Sequence, residues 1–448
     1  MRKPPVRFIC KWSLAFAFVL WSRAMLMGQA VPREFQVPVQ HVPLRSLAPV
    51  SDGPTTPVSP GNWSQLAELT LVPTLNYNYS FSIGNSVGIA GDTIVTGGLP
   101  GESYIPAAFV FVKPSGGWNN MHPTASLNVL TPTGFASVAI AGDTIVVGTN
   151  SIYGLGSASV FVKPAAGWMD MTPTATLTST DSSAGDEFGV SVSISDNTIV
   201  VGADNVNSGA GAAYVFVKPA GGWTDMTQTA KLMASDTQPG DYLGLAASIS
   251  GNTIALGTYQ RLGKAYVFVE PPTGWVDMTE TAKLTVAGPR ENFFMGSSIS
   301  TDGNAVLAGA PDYDRGVYDS GPGGAYLYVK PPGGWINASQ TAKLIEADRG
   351  RFDEFGSSVL IKGNTAVVGA RNRTRGPNFS AGGVYVFTKP PGGWTDMSGD
   401  VAVTGTNARH FSPFGASVDL DGSMLVVGTP AGPLQFQNQG TAYVFGLP

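Results

Sequence analysis

GAAYVFVKPAGGWTDMTQTAKL, residues 211–232, is the stretch that decides the fold. Its core, AYVFVKP at 213–219, returns as AFVFVKP (108–114), ASVFVKP (158–164), AYVFVEP (265–271), AYLYVKP (325–331), VYVFTKP (384–390) and AYVFGLP (442–448). A tryptophan preceded by Gly or Asn recurs in step, at Trp63, Trp118, Trp168, Trp223, Trp275, Trp335 and Trp394. The mean spacing is about 55 residues, close to the periods that mark solenoids and propellers.

Each full repeat holds four strand-like runs. In the third, FGVSVSIS (188–195) alternates with period 2, and Asp196 and Asn197 form a tight turn. TIVVGA (198–203) is continuously apolar, a Gly-rich loop leads to the 213–218 run, and Pro219 opens the turn into residues 223–232. Val, Ile, Tyr and Phe fill the runs while Gly, Asp, Asn and Pro separate them. No part of the repeat region sustains a 3.6-residue apolar period. Seven sets of four antiparallel strands predict an all-β, seven-bladed propeller. In AYVFVK both strand faces are apolar, as a sheet sandwiched between two others requires.

The two ends fit together. The last repeat stops after its third strand, and the first Trp unit, residues 63–70, has no strands before it. Residues 63–69 are therefore expected to complete the last blade, which removes two open sheet edges.

The pattern FG-x-S-V-x-I, then T-I-V-V-G-A, then AAYVF resembles the FG-GAP repeats of bacterial cell-surface proteins, relatives of the integrin α-subunit propeller. Phe188 with Gly189, Phe355 with Gly356 and Phe414 with Gly415 supply FG, with Leu243–Gly244 and Met295–Gly296 as variants. Gly202 with Ala203, Gly309 with Ala310 and Pro311, and Gly369 with Ala370 supply GA or GAP. The resemblance covers residues 62–448. It implies a scaffold used in many roles, so function has to be argued from sites.

Residues 1–30 read as a signal peptide: basic Arg2, Lys3, Arg7 and Lys11, a short apolar core, and small residues at Gly28 and Ala30. That core is shorter than the roughly 20 residues a membrane span needs. Cys10, the one cysteine, falls inside the signal peptide, so the fold is expected to do without disulfides. Residues 31–61 are Pro-rich and read as a poorly ordered linker. The expected domain order is signal peptide 1–30, linker 31–61 and propeller 62–448. The protein is expected to be exported and monomeric. With a net charge of −5, only 13% charged residues and no basic stripe, nucleic acid is not an expected partner.

Three groups of side chains are candidates for function. The Trp series invites a reading as seven lectin sites, but a position repeated in every blade fits packing of a large ring over the blade edge, its N–H finding a partner. Acidic segments 181–187, 236–241 and 348–354 precede FG and read as turn formers. Integrin-like calcium loops fall between FG and GAP, and here that connection is a tight turn. No cofactor is expected, and Asp312 and Asp314 are the residual calcium candidates. The enlarged loops 311–323 and 371–382, in the fifth and sixth blades, offer Tyr313, Arg315, Tyr318, Arg371, Arg373, Arg375 and Phe379 as a recognition patch. Three histidines, at 41, 122 and 410, form no catalytic pattern. The reading is a non-enzymatic binding scaffold for a protein or glycan. The alternatives are a polysaccharide hydrolase or lyase using carboxylates at the central funnel, and a calcium-dependent adhesion module.

Overall fold

The AYVFV strands are apolar on both faces, but unequally. Alternation along the strand sends Tyr214 and Phe216 one way and Ala213 and Val215 the other. The large face packs with Val146, Val160 and Phe188. The small face packs with Leu256, Tyr266 and Phe268 of the following repeat. Bulky face meets small face at each junction, giving seven apolar clusters. A fully buried Phe contributes about 2–3 kcal/mol, so the core of this molecule lies between blades.

The computed structural model describes residues 56–58, 63–71, 82–99, 108–129, 136–151, 154–260, 262–287, 294–311, 322–348, 350, 352–374, 380–406, 412–430 and 440–447. They form seven sheets. In the third blade the order is Val192–Ser195, Thr198–Ala203, Ala212–Val217 and Ala230–Leu232, each antiparallel to the next. The sixth blade differs. Phe355–Lys362, Thr365–Ala370 and Gly383–Thr388 are followed only by an antiparallel bridge from Val384 to Val403. First strands neighbour one another round a ring, and Ser417–Asp421 lies beside Ser82–Ala90 to close it. The last blade is completed by Ser64–Leu69, antiparallel to Thr441–Gly446, as the two ends of the sequence imply. Among the described residues no helix is long and apolar enough to cross a membrane.

Glycines set how closely blades approach. A Cβ on Gly202, at the end of a second strand, would stand 2.0 Å from the carbonyl oxygen of Gly244 in the next blade. Equivalent clashes await a Cβ at Gly97, Gly148, Gly257, Gly309, Gly369 and Gly428, the last against Gly84 across the closure. Gly244 itself has φ +91°, a conformation that L side chains rarely adopt. The GA and FG glycines of the repeat are thus the two halves of one contact. Ser191 Oγ adds a hydrogen bond to the same Gly244 carbonyl at 2.7 Å. Ser137, Ser298, Ser358 and Ser417 repeat it at 3.0, 2.8, 2.8 and 2.9 Å.

The tryptophan unit departs from expectation. The outer strand begins at Ala230, not at Trp223, and the intervening residues reach back to the preceding blade. Met226 and Thr227 pair in parallel with Leu177 and Thr178, and Asp225 Oδ1 accepts the Thr176 N–H at 2.8 Å. Asn120, Asp170, Asp277, Asn337 and Asp396 make the same bond, at 2.7–2.8 Å, to Glu68, Ser126, Lys231, Lys283 and Lys343. Each latch satisfies an edge N–H that would otherwise invite a foreign strand. At the closure Gln65 Oε1 takes the Thr406 N–H at 3.1 Å. Thr56–Val58, from the Pro-rich stretch, adds a parallel strand against Met397–Gly399.

Six tryptophans, Trp118 to Trp394, are buried in the inter-blade clusters. The indole N–H groups of Trp118, Trp168, Trp223, Trp275 and Trp335 have no partner among the described residues, contrary to expectation. Burial of about 200 Å² of ring at ~25 cal/mol per Å² gives ~5 kcal/mol, which outweighs the ~1–3 kcal/mol of an unmade hydrogen bond. Rings so buried are packing elements, not sugar platforms.

Gly202→Ala is expected to lower unfolding stability by about 2–3 kcal/mol, because backbone of the next blade must move. Gly221→Ala, with open space around its Cβ, should stay within about 0.5 kcal/mol of the parent. Urea melts of the two variants compare them, and equal losses would contradict the contact.

Candidate functional site

First strands run away from the blade junctions and second strands run back. Junction loops and second-to-third-strand loops therefore share one face. Backbone bonds tie them together: Asn205 N–H to Asp186 O at 3.2 Å, Tyr259 N–H to Asp241 O at 2.9 Å, and Asn372 N–H to Asp353 O at 3.2 Å.

Of the patch expected on blades five and six, Tyr313, Arg315, Tyr318, Arg375 and Phe379 lie outside the described residues, as do Asp312 and Asp314. Arg371 and Arg373 are described. Arg371 Nε donates to Glu354 Oε2 at 2.6 Å. Arg373 donates to Asp348, and its side chain is mostly buried. Beside it Glu346 is 1% exposed and accepts the Tyr385 O–H at 2.7 Å. Burial pushes the Glu346 carboxyl up to about 8, and the nearby acids Asp353 and Asp348 add to the rise. The two arginines thus stand in a network of ion pairs that orders them.

The acidic segments before FG do structural work. Asp186, Asp241 and Asp353 each accept the N–H three residues earlier, from Ser183, Gln238 and Gly350. Asp181 accepts from Tyr214 and Lys231, and Asp236 from Tyr266 and Lys264. Burial raises the Asp236 carboxyl, but hydrogen bonds from Lys264, Tyr266 and Lys283 outweigh it and hold it at about 2. Among the described residues no cluster of three His, Cys, Asp or Glu side chains could hold a metal ion. Carboxylates on the first strands are engaged too. Asp419 Oδ2 accepts the Ile89 N–H at 2.8 Å, Asp302 Oδ2 that of Gly363 at 3.0 Å, and Asp421 Oδ2 that of Gly91 at 2.7 Å.

Two positions on this face were only partly read from the sequence: Arg371 was expected in the recognition patch and Glu187 and Glu354 in turn-forming segments, but Asn150, Asp204, Tyr242, Tyr259 and Phe294 were not singled out. One is the residue before FG: Glu187, Tyr242, Phe294 and Glu354, all with φ between 55° and 61°. The other is the residue after GA: Asn150, Asp204, Tyr259 and Arg371. They adjoin from blade to blade. Asn150 Nδ2 donates to Glu187 Oε2 at 3.1 Å. Asp204 is 3% exposed, and burial, then the Glu187 charge, pushes its carboxyl well above the usual carboxylate range. Burial, then the charges of Asp204 and Glu187, raises the Tyr242 hydroxyl in turn. Tyr259 stacks on Phe294 with centroids 4.8 Å apart. For the five not singled out, the only signal was variation inside an otherwise regular frame.

Glu346 yields a pH prediction. Its folded pKa lies above the ordinary 4.5, so folding binds a proton and stability falls as pH rises from about 4.5 to about 8. Glu346→Gln should flatten that fall and raise Tm at pH 8 relative to the parent. Melting curves across this range measure it, and parallel Tm profiles would contradict the assignment.

No curated protein matches the chain. Among solved structures, the computationally designed Ika8 protein is similar at a TM-score of 0.45 and 14% identity, over 85% of this chain and 99% of that chain. A likeness at that level carries no argument. Three segments, 171–216, 226–268 and 338–387, match the family described as FG-GAP repeat. These segments lie in blades that carry the glycine contact and the latch, and with the seven sheets they make this a β-propeller that carries FG-GAP repeats.

Proposed function

We propose that the protein is an exported, non-enzymatic binding scaffold that recognises a protein or glycan through the face carrying its junction and second-to-third-strand loops. One observation carries this reading. Glycine contacts, serine bonds and Asp/Asn latches recur from blade to blade, whereas the residues before FG (Glu187, Tyr242, Phe294, Glu354) and after GA (Asn150, Asp204, Tyr259, Arg371) vary in chemistry among blades. A rigid frame with individual side chains at one rim is what recognition uses. Arg371 and Arg373, at the start of the 371–382 segment, are held on this face by Glu354 and Asp348. FG and GA elements are joined by tight hairpins, such as Ser195 paired to Thr198, which leaves no calcium loop of the integrin kind and disfavours the adhesion reading.

The full chain, screened against a glycan array, cell-wall polysaccharides and candidate surface proteins, with and without calcium, is expected to be retained without releasing sugar. Retention should weaken in Tyr313→Ala. Release of sugar would overturn the non-enzymatic reading, and retention only with calcium would favour the adhesion module.

A further inference from the structure

The varied rim positions do not differ at random. From blade two to blade five they run Asn150, Glu187, Asp204, Tyr242, Tyr259 and Phe294. Contacts link them in that order. The amide of Asn150 reaches Glu187, the charges of Glu187 and Asp204 act on each other and on Tyr242, Tyr259 bonds to the backbone beside Tyr242, and its ring stacks on Phe294. One end of the arc offers oxygen acceptors and the other aromatic rings.

Two features set the polar end apart from ordinary packing. Asn150 Oδ1 and Asp204 Oδ1 are buried and have no hydrogen-bond partner, on residues 8% and 3% exposed. Buried polar atoms are nearly always paired, so two unpaired acceptors on side chains that meet at Glu187 mark a place where donors are missing. The loop beside them is strained. Asn207 and Ser208 have φ of 53° and 62° and are exposed. The Tyr242 ring lies against this turn, so close that a Cβ on Gly209 would come within 3.0 Å of Tyr242 Cε1. Such conformations concentrate at ligand sites.

We infer that this arc is a subsite for a neutral pyranose glycan, resting on the reading of this face as a binding face. Sugar hydroxyls supply the missing donors to Asp204 Oδ1 and Asn150 Oδ1, beside Glu187. The half-buried aromatic rings meet the apolar C–H face of the pyranose, the amphipathic match that Tyr offers with one apolar and one polar end. The described arc carries the Glu187 carboxylate and no basic side chain, so a uronate or a sulfated sugar meets like charge and finds no cationic partner.

The test is titration calorimetry of the full chain with a β-glucan, a mannan and a xylan, against polygalacturonate as the anionic probe. Variants are Tyr259→Leu, which keeps apolar bulk without the ring, Glu187→Gln, and Ile336→Ser on the outer rim as a control. Circular dichroism confirms that each is folded. A neutral polymer should bind, polygalacturonate should not, affinity should fall about tenfold in Tyr259→Leu and several-fold in Glu187→Gln, and Ile336→Ser should match the parent. Preference for polygalacturonate, or neutral-polymer binding unchanged in both arc variants, overturns the inference. Binding of no saccharide also overturns it. A protein partner retained in the same preparation would leave the binding-scaffold reading standing, whereas retention of neither would remove both.

Discussion

Everything in this molecule depends on how closely one blade can approach the next. A carbonyl oxygen from each FG segment occupies the place where the preceding GA glycine would carry a Cβ, 1.8–2.4 Å from that position at all seven junctions. Between the first and second blades that oxygen is supplied by Ala136. At that separation the bulky Tyr and Phe face of one AYVFV strand fills the Ala and Val face of its neighbour. Close packing has no slack for an added methyl group, so the glycines are the condition for the apolar clusters rather than an accompaniment to them. The serine bonds to the same carbonyls and the Asp/Asn latches at the outer edge then fix the rotation of each blade.

This division of labour explains what was legible in the sequence. Seven near-copies of one strand, both faces apolar, state the blade count and the sandwiching directly. Ring closure followed from counting strands at the ends, because an unpaired strand at each terminus has one economical solution, and Ser64–Leu69 against Thr441–Gly446 is that solution. The short turns between FG and GA were also readable, since two residues such as Asp196 and Asn197 leave room only for a hairpin.

What was not legible is equally physical. The segment from Trp223 to Thr227 reads as strand, but its partner is the preceding blade and its direction is parallel. Local pattern says nothing of which sheet a short strand joins. The acidic segments before FG read as turn formers, but no local pattern shows that Asp181 and Asp236 are held by the Tyr and Lys of neighbouring strands. The rim positions escaped for the opposite reason. A repeat is recognised by what recurs, and Asp204, Tyr242 and Tyr259 are where recurrence stops. Their proximity also arises between blades, across 35–38 residues of sequence, so no local motif could have joined them.

The closed ring is the premise on which the rim stands, and amide hydrogen exchange on the full chain tests it most directly. If the terminal strand completes the last blade, amides of Ser64–Leu69 and of Thr441–Gly446 that pair across the closure should exchange slowly, at rates matching the Ala230–Leu232 and Ala212–Val217 pair in the third blade. Rapid exchange in Ser64–Leu69 while Thr198–Ala203 stays protected would show an open ring and contradict the account.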